Sequence, residues 1–279
     1  MTSKISESFW GTIFKISSLR SRLAFQVKYR CLTELDLRVS LGHDVCVPWW
    51  NEEIGASFAE IFLEQEYSGM FEFMKPPARW IDLGAFAGFF SIWLVWIRNR
   101  LKLSDSPCEA LLIDADRERA GYIADLLRIN NLSERFHFRY GAIDAGGGTS
   151  RFVHIPYMSS ALASIAGSVG QPVDVPILTC REIVSLIEPP YDLVKVDIEG
   201  AEYELLQNYR EFLRHCDHLL IEWHSWHSGG GGLGQLRELA DDAGFHQIAE
   251  LQPARAVPAG QTGIILFRRT EPNREQVAP

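Results

Sequence analysis

Residues 80–88 read Trp-Ile-Asp-Leu-Gly-Ala-Phe-Ala-Gly, and this stretch decides the fold. Its first four residues form a run of strand length, and a longer apolar helical pattern begins directly afterwards at Phe89. Gly84 and Gly88 allow the tight turn by which a strand passes straight into a helix. A strand, a glycine turn and a helix in this order predict the first unit of an α/β sheet, with a ligand site at the helix N-terminus.

The spacing of the two glycines bears on the ligand. A nicotinamide site has the spacing GxGxxG and binds pyrophosphate at the helix end, whereas this turn has the spacing GxxxG. Asp82 adds a negative charge where the pyrophosphate would lie. S-adenosylmethionine has no phosphate and carries an ammonium and a sulfonium, so the same carboxylate attracts it. The turn favours S-adenosylmethionine over a dinucleotide, although the pattern also fits a plain strand-to-helix turn.

Around this unit, apolar runs of strand length alternate with amphipathic segments, which is typical of a parallel sheet covered by helices. We predict strands at Arg79–Leu83, Ala110–Asp114, Phe136–Tyr140, Leu193–Asp197 and His218–Trp223. Predicted helices are Phe89–Arg98, Arg117–Asn130, Arg181–Ile187 and Ala201–Leu213. Thr179 and Glu182 have the spacing of a capping box at the start of the third of these helices. Residues 151–178 predict a β insertion with strands Arg151–Ile155 and Val173–Ile177. Phe245–Leu251 and Gly263–Arg268 predict a final antiparallel pair with no helix between them.

The N-terminal part of the chain has a less regular pattern. It predicts a hairpin through Leu32–Val39 and Asp44–Val47 and a helix at Ala56–Tyr67, and Pro76 and Pro77 end the region. We therefore divide the chain into an N-terminal extension at residues 1–75, a main domain at residues 76–270 and a tail at residues 271–279.

A second carboxylate lies at the end of the second predicted strand. Ionised Asp114 can accept hydrogen bonds from both hydroxyls of a ribose. It could equally cap the following helix, a role that Asp116 could fill instead. Carboxylates at the ends of consecutive strands, Asp82 and Asp114, favour the pocket. Ala142 and Ile143 follow the third strand, where the adenine of the same ligand would rest.

The most specific stretch is residues 194–202, which read Val-Lys-Val-Asp-Ile-Glu-Gly-Ala-Glu. A buried strand rarely holds lysine, so Lys195 needs a partner. The alternation of side chains along a strand places it on the same face as Asp197 and Glu199. A structural salt bridge would explain this arrangement. A functional site would also explain it, because Asp197 emerges at the carboxyl edge of the sheet, where open α/β folds bind ligands.

These stretches resemble the FkbM family of S-adenosylmethionine-dependent methyltransferases, from about Glu60 to Arg268. The resemblance is carried, in order, by residues 60–62, 66–67, 81–88, 114, 130–132, 178–179, 194–202 and 221–224. The chain has Phe86 where the family usually has asparagine, and Asp114-Ala115 where the family usually has Glu-Pro, so the carboxylate is kept.

The resemblance implies a class I, Rossmann-like methyltransferase fold of the α/β class. This fold is a seven-stranded sheet, mostly parallel with one antiparallel C-terminal strand, with helices on both faces; the chain adds a small N-terminal extension. The implied cofactor is S-adenosylmethionine. Its predicted contacts are Tyr67, Asp82, Gly84, Ala85, Gly88, Asp114, Ala142, Ile143 and Asp197.

The resemblance also implies O-methylation of a hydroxyl on a sugar, a glycan or a small natural product. The hydroxyl must lose its proton, and His224 is the preferred base because it follows the fifth strand at the same edge as Asp197. Asp197 could instead orient His224, hold the cofactor's amino group or receive the proton itself; with Glu199 these are the predicted catalytic residues. We predict no metal. An ion held by these three residues is conceivable, but no HxH or HExxH spacing supports it.

Two other classes share these features in part. A nicotinamide-dependent oxidoreductase would have the same sheet but fails on the glycine spacing and on Asp82. A non-catalytic methyltransferase-like subunit would keep the core and lose the carboxylates at the sheet edge. Trp226, which follows the fifth strand, is predicted either as a platform for a sugar acceptor or as a core aromatic.

Composition excludes several further classes. The 279 residues carry a net charge of −9 and are 47% hydrophobic, which is typical of a globular protein. An acidic chain argues against a nucleic-acid partner, and no apolar run approaches the roughly 20 residues of a membrane-spanning helix. The five cysteines form no CxxC pair and indicate reduced thiols in a cytoplasmic protein. Residues 1–30 contain six basic residues and one acidic residue, Glu7. This charge favours a solvated helix face over a helix that lies on a membrane surface.

Overall fold

The computed structural model describes residues 38–48, 54–104, 106–144, 148–153, 161–162, 172–226 and 232–270. The strands in these ranges are β1 (Arg38–Gly42), β2 (Val45–Pro48), β3 (Arg79–Leu83), β4 (Glu109–Asp114), β5 (Phe136–Tyr140), β6 (Thr149–Val153), β7 (Ala161–Leu162), β8 (Pro172–Pro176), β9 (Tyr191–Val196), β10 (Cys216–His224), β11 (Phe245–Val257) and β12 (Gly260–Arg269). The α-helices are α1 (Ile54–Phe58), α2 (Phe89–Arg100), α3 (Arg119–Ile129), α4 (Cys180–Leu186), α5 (Glu202–Asn208), α6 (Arg210–Leu213) and α7 (Leu233–Asp242).

A seven-stranded sheet with the order β11-β12-β10-β9-β3-β4-β5 forms the centre of the fold. Strands β3, β4, β5, β9 and β10 pair in parallel. Strand β12 runs antiparallel to both of its neighbours, β10 and β11. The predicted fold class, with one antiparallel C-terminal strand in an otherwise parallel sheet, is therefore confirmed.

The central strands β3, β4 and β9 are buried at all but one position each, so the middle of the sheet is covered on both faces. Successive residues alternate between two cores, as the pleat requires: Trp80, Ala110 and Leu112 face one core, and Ile81, Leu111 and Ile113 face the other. Helices α2 and α3 pack in the first core, and α4 to α7 pack in the second. Parallel strands need this double cover, which also explains their continuous apolar runs.

Most predicted elements are found at their expected ends or within three residues of them. The capping box of Thr179 and Glu182 begins helix α4. The predicted helix Ala201–Leu213 is divided at Tyr209 into α5 and α6. The predicted β insertion is a separate three-stranded sheet, in which β6 pairs with both β7 and β8. Helix α7 was not predicted, because it directly follows a glycine run that indicated irregular backbone.

The N-terminal extension packs onto the same core as α2. Phe58 lies 6.1 Å from Phe89, ring to ring. The predicted helix Ala56–Tyr67 is a short α-helix followed by a π-helical segment at Ala59–Glu64, which ends at Gln65 in the left-handed region. The hairpin is present as β1 and β2, while residues 32–37 of its predicted first arm, like residues 1–30 and 271–279, lie outside the described residues. None of the described helices has the length and apolar character needed to span a membrane.

Candidate active site

A cavity of about 180 Å³ lies where the parallel strands end at the carboxyl edge of the sheet. It is the edge at which ligands bind in open α/β folds. Of the predicted site residues, the cavity is lined by Tyr67, Gly84, Ala85, Asp114, Ala142, Ile143, Asp197, Glu199 and His224. Asp82 and Gly88 are not among the described residues that line it. The chain thus brings most of the predicted site together from five strand ends and the N-terminal extension.

The turn after β3 presses directly against the end of β9. Gly84 has a φ of +74°, and a Cβ atom there would lie 1.7 Å from the backbone oxygen of Asp197. Any larger residue would clash with backbone, which cannot move aside. The backbone N–H groups of Gly84 and Ala85 both donate to the carbonyl of Ile113, at 3.0 Å each. Glycine is therefore required because the turn must lie between two strand ends.

Asp114 connects this turn to the end of β4. Its Oδ2 accepts a hydrogen bond of 2.7 Å from the backbone N–H of Phe86, and its Oδ1 accepts one of 2.7 Å from that of Asp116. Burial raises the pKa of Asp114 to about 6, although these two hydrogen bonds act in the opposite direction. Each carboxylate oxygen retains a lone pair for a ligand in the cavity.

Next to Asp114, an aromatic ring and a guanidinium form one wall of the cavity. The guanidinium carbon of Arg119 lies 4.3 Å from the centre of the Phe86 ring, within cation–π range. The Nε atom of Arg119 is also 3.0 Å from a carboxylate oxygen of Asp116, and both side chains are buried. Phe86 occupies the position at which the family resemblance implied asparagine.

Asp82 lies beneath the turn and is fully buried. Its Oδ2 accepts a hydrogen bond of 2.9 Å from the Ser91 hydroxyl, and its Oδ1 lies 3.6 Å from the ammonium of Lys195. Burial raises the pKa of Asp82, against the attraction of Lys195. Asp82 was predicted to attract the cofactor. Within the described structure, its carboxylate instead contacts Ser91 and Lys195.

Lys195 links the buried Asp82 to the cavity. Its ammonium donates to Asp197 Oδ2 at 3.1 Å and to the carbonyl of Gly84 at 3.1 Å. Burial lowers its pKa, but the two carboxylates outweigh this and the pKa of Lys195 is raised overall. The predicted pairing of Lys195 with Asp197 is confirmed, and it fixes the position of Asp197 at the cavity edge.

Three side chains of types that bind metal ions converge beside the turn. We call these residues, Asp197, Glu199 and His224, the edge cluster. One atom of each lies within 4.8 Å of the others. The Nε2 atom of His224 is 4.0 Å from Asp197 Oδ1 and 3.9 Å from Glu199 Oε2. Glu199 has a φ of +54°, which few residues other than glycine adopt. Burial raises the pKa of Glu199 to about 8, although His224 acts against this.

Glu202 holds the edge cluster from behind. Its Oε1 atom is 3.0 Å from Nδ1 of His224 and also accepts the backbone N–H groups of Ile198 and Gly200, at 3.1 Å each. Burial would lower the pKa of His224, but Glu202 first, then Glu199 and Asp197, raise it to about 10. Because this places a proton on both ring nitrogens at neutral pH, Nδ1 donates to Glu202 and Nε2 points at the other two carboxylates.

Sequence reasoning did not assign a role to a second group of acids in the same cavity, Glu60, Glu66 and Glu222. Glu222 accepts a hydrogen bond of 3.1 Å from the hydroxyl of Tyr67, and Glu66 accepts one of 2.9 Å from Gln252. Burial is the main reason that the pKa of each of the three is raised to about 7. The alternation of side chains along β10 would have placed Glu222 beside His224. Glu60 and Glu66 lie in stretches that carry the family resemblance, which assigned them no role.

The raised pKa of Glu60 makes stability depend on pH. An unfolded chain releases the proton of Glu60 near pH 4.5, whereas the folded chain holds it to about pH 7. Folding is therefore opposed increasingly as the pH rises through this window. We expect Glu60→Gln to raise the melting temperature of the ligand-free protein at pH 8 and to change it little at pH 4.5. The exposed Glu64→Gln is the matched control. A gain of equal size at both pH values would contradict the raised pKa.

The predicted platform residue Trp226 packs against the edge cluster. Its ring centre lies 4.4 Å from that of His224, and the two planes are inclined by 45°. Trp226 is half-buried and is not among the described residues that line the cavity. The contact favours a role in holding the imidazole, and contact with an acceptor stays a prediction.

The fold and the site together define a class. A Rossmann-like sheet, a glycine turn without phosphate-binding spacing and carboxylates at the ends of β4 and β9 are the features of a methyltransferase that uses a nucleoside cofactor. A family model described as "Methyltransferase FkbM domain" matches residues 82–248, more than half of the chain. The chain belongs to the FkbM methyltransferase family. Its methyl donor is S-adenosylmethionine.

Solved structures of similar shape include several methyltransferases. TrmK of M. capricolum, solved with S-adenosyl-homocysteine, is 10% identical, with a TM-score of 0.43 and coverage of 73% of this chain and 67% of TrmK. A proposed RNA methyltransferase of Pyrococcus horikoshii is 12% identical, with a TM-score of 0.43 and coverage of 78% and 85%. A proposed O-methyltransferase of Klebsiella pneumoniae is 12% identical, with a TM-score of 0.42 and coverage of 75% and 80%. Comparison with curated protein sequences gave no match.

Proposed function

We propose that this methyltransferase transfers the methyl group of S-adenosylmethionine to a hydroxyl of a sugar, a glycan or a small natural product. The observation that carries the proposal is the edge cluster, which presents two carboxylates and an imidazole to the cavity beside the glycine turn. Methylation of a hydroxyl requires a group that takes up the hydroxyl proton, and such groups must lie within hydrogen-bond reach of it.

The residues of the cavity fit the cofactor. Asp114 offers lone pairs to two ribose hydroxyls, and Phe86, Ala142 and Ile143 offer apolar contacts to an adenine. The carboxylate of Asp197 lies at the same edge and attracts a positive charge. When bound, S-adenosylmethionine supplies an electrophilic methyl group on a positively charged sulfur. We propose these residues, with Gly84 and Ala85 of the turn and Tyr67, as the cofactor-binding set.

The charge of His224 affects the choice of base. With a pKa of about 10, its imidazole already carries a proton at neutral pH and cannot accept another. We therefore favour, of the alternatives open from the sequence, Asp197 as the group that receives the hydroxyl proton. Lys195 then holds Asp197 in place by a hydrogen bond of 3.1 Å, and the charged imidazole of His224 lies 4.0 Å from its other oxygen. Much of the rate enhancement comes from holding donor and acceptor in line.

The charge of the cavity supports a small-molecule or glycan acceptor over a nucleic acid. Glu60, Glu66 and Glu222 line it together with the edge cluster, and a phosphate backbone would be repelled by them. Hydroxyl groups donate hydrogen bonds to carboxylates, so a polyhydroxylated acceptor suits the same surface. We propose that the reaction takes place in the cytoplasm, as expected from the cysteine pattern.

Calorimetry and a transfer assay test this proposal. We expect S-adenosylhomocysteine to bind with a dissociation constant in the micromolar range and NAD not to bind. Incubation with S-adenosylmethionine and a panel of sugar, glycan and phenolic acceptors should release S-adenosylhomocysteine and give a product 14 mass units heavier. Binding of NAD without S-adenosylhomocysteine would favour the oxidoreductase alternative; binding of S-adenosylhomocysteine without transfer to any hydroxyl would favour the non-catalytic one.

Asp114→Ala should weaken S-adenosylhomocysteine by roughly 1 to 3 kcal/mol, because ribose hydroxyls would lose their buried partner. Calorimetry measures the change, with Glu118→Ala, an exposed acid on the following turn, as the control. Since Asp114 also accepts the N–H groups of Phe86 and Asp116, Asp114→Asn is included, which keeps one acceptor oxygen there. Wild-type affinity in both variants would remove Asp114 from the cofactor site.

A further inference from the structure

We infer that the edge cluster of Asp197, Glu199 and His224 binds a divalent first-row transition-metal ion, of the Mn²⁺ or Zn²⁺ type, at the acceptor side of the cavity. The spacing of these residues in the sequence gave no metal motif and predicted no metal. The fold brings them together because β9 and β10 are neighbours and end at the same edge.

The distances within the edge cluster suit an ion better than direct contact. The Nε2 atom of His224 is 4.0 Å and 3.9 Å from the carboxylate oxygens of Asp197 and Glu199, too far for hydrogen bonds. Two ligands that each lie about 2.1 Å from one ion are separated by roughly 3 to 4.2 Å, depending on the angle between them. One ion can therefore contact all three atoms after small side-chain adjustments, with the Nε2 proton of His224 released to solvent as the ion binds.

The buried imidazole is the second, independent observation. His224 is only 4% exposed, yet within the described residues its Nε2 atom has no hydrogen-bond partner and is aimed into the cluster. Its other nitrogen is held by buried Glu202 at 3.0 Å. A histidine that binds a metal usually makes this second contact to a carboxylate or carbonyl, which fixes the ring and raises its basicity.

The carboxylates of Asp197 and Glu199 each have an oxygen that can bind a cation. Asp197 directs Oδ2 to Lys195 and leaves Oδ1 facing His224. Glu199 accepts no hydrogen bond from the described residues, and its backbone is in the left-handed region. Glu202 accepts the N–H groups of Ile198 and Gly200 on either side of Glu199, so the turn that presents this carboxylate is fixed.

The ligand set indicates the kind of ion. Carboxylates suit Mg²⁺, Ca²⁺ and Mn²⁺, whereas imidazole suits Zn²⁺ and other transition metals. A set of two carboxylates and one imidazole is common ground for Mn²⁺ and Zn²⁺. Three protein ligands leave open positions for an acceptor oxygen, and a hydroxyl bound to such an ion is more acidic. The role in methylation rests on the proposed function; the binding of the ion does not.

Electron paramagnetic resonance of Mn²⁺ added to the full chain, without cofactor or acceptor, tests the inference. The signal of free Mn²⁺ should stay suppressed until one equivalent has been added. Addition of Zn²⁺ should then displace the bound Mn²⁺ and restore the free signal. We expect Glu199→Gln and His224→Gln to weaken Mn²⁺ at least tenfold. The control Glu66→Gln removes a carboxylate of the same cavity outside the cluster and should change the affinity less than threefold. Glu199 accepts no hydrogen bond from the described residues, so its variant remains decisive if His224→Gln does not fold.

Binding of S-adenosylhomocysteine and methyl transfer are measured on the same samples. Absence of bound Mn²⁺ and Zn²⁺, or equal affinity in the cluster variants and the wild type, would overturn the inference; if transfer persists in EDTA, the proposed function stands without it. Loss of transfer in EDTA, with recovery on adding Mn²⁺, supports both. Failure to bind S-adenosylhomocysteine while Mn²⁺ binds would count against the proposed function alone.

Discussion

Replacing Asp197 with asparagine should lower kcat by about 10²- to 10⁴-fold, the range for loss of a positioned proton acceptor. The variant keeps the size and shape of the side chain but cannot take up a proton at neutral pH. Affinity for S-adenosylhomocysteine should fall much less than kcat, because the product carries no sulfonium charge and its proposed ribose contact is with Asp114. Single-turnover transfer and calorimetry on the same preparation separate the two effects.

The control for this variant is Asp192→Asn, at the opposite end of the same strand. Asp192 accepts the backbone N–H groups of Ala78 and Arg79, at 2.7 Å and 2.9 Å, so it supports the sheet far from the cavity. Its substitution should reduce stability and leave kcat per folded molecule unchanged. If Asp197→Asn keeps full turnover, Asp197 is not the proton acceptor, and if both variants lose turnover equally the loss reflects folding.

The sheet could be predicted from the sequence because the apolar residues of its central strands lie on both faces. Strands β3 and β4 have apolar residues on both faces of the sheet, Trp80 and Ile81 in β3 and Ala110–Ile113 in β4, as parallel strands buried on both sides require. The turn at Gly84 and the acid at Asp114 come at the ends of these strands. Because the strands are parallel, their ends lie at the same edge of the sheet, so the order of residues in the sequence is enough to place both at that edge. For these residues local sequence carries the three-dimensional information.

Other parts of the site depend on contacts that no local pattern contains. Glu202 was visible as part of a motif, but its contact with His224 joins residues 22 positions apart. Glu60 and Glu66 reach the cavity because the N-terminal extension packs beside α2. Its irregular local pattern does not indicate this position, and only the family resemblance placed Tyr67 of the extension at the site. Asp82 was expected to face the ligand, and the pleat of β3 instead directs it to Ser91 and Lys195.

The second large effect concerns stability. Lys195→Met should reduce the free energy of unfolding by about 3 to 5 kcal/mol, because Asp82 would be left fully buried without its cation. At about 2 to 3 °C per kcal/mol for a chain of this size, the melting temperature should fall by roughly 6 to 15 °C. Adding Asp82→Asn to this variant should recover part of the loss, since it removes the uncompensated charge.

The comparison pair is Arg79 and Glu109, which lie 3.1 Å apart but are 32% and 47% exposed. Arg79→Met should cost no more than about 1 kcal/mol, because exposed ion pairs contribute little. A fall of the same small size in Lys195→Met, without recovery from Asp82→Asn, would show that the buried pair is not structural. In that case the charge of Lys195 would be held at the cavity edge for Asp197 alone, and its loss should appear in kcat and not in the melting temperature.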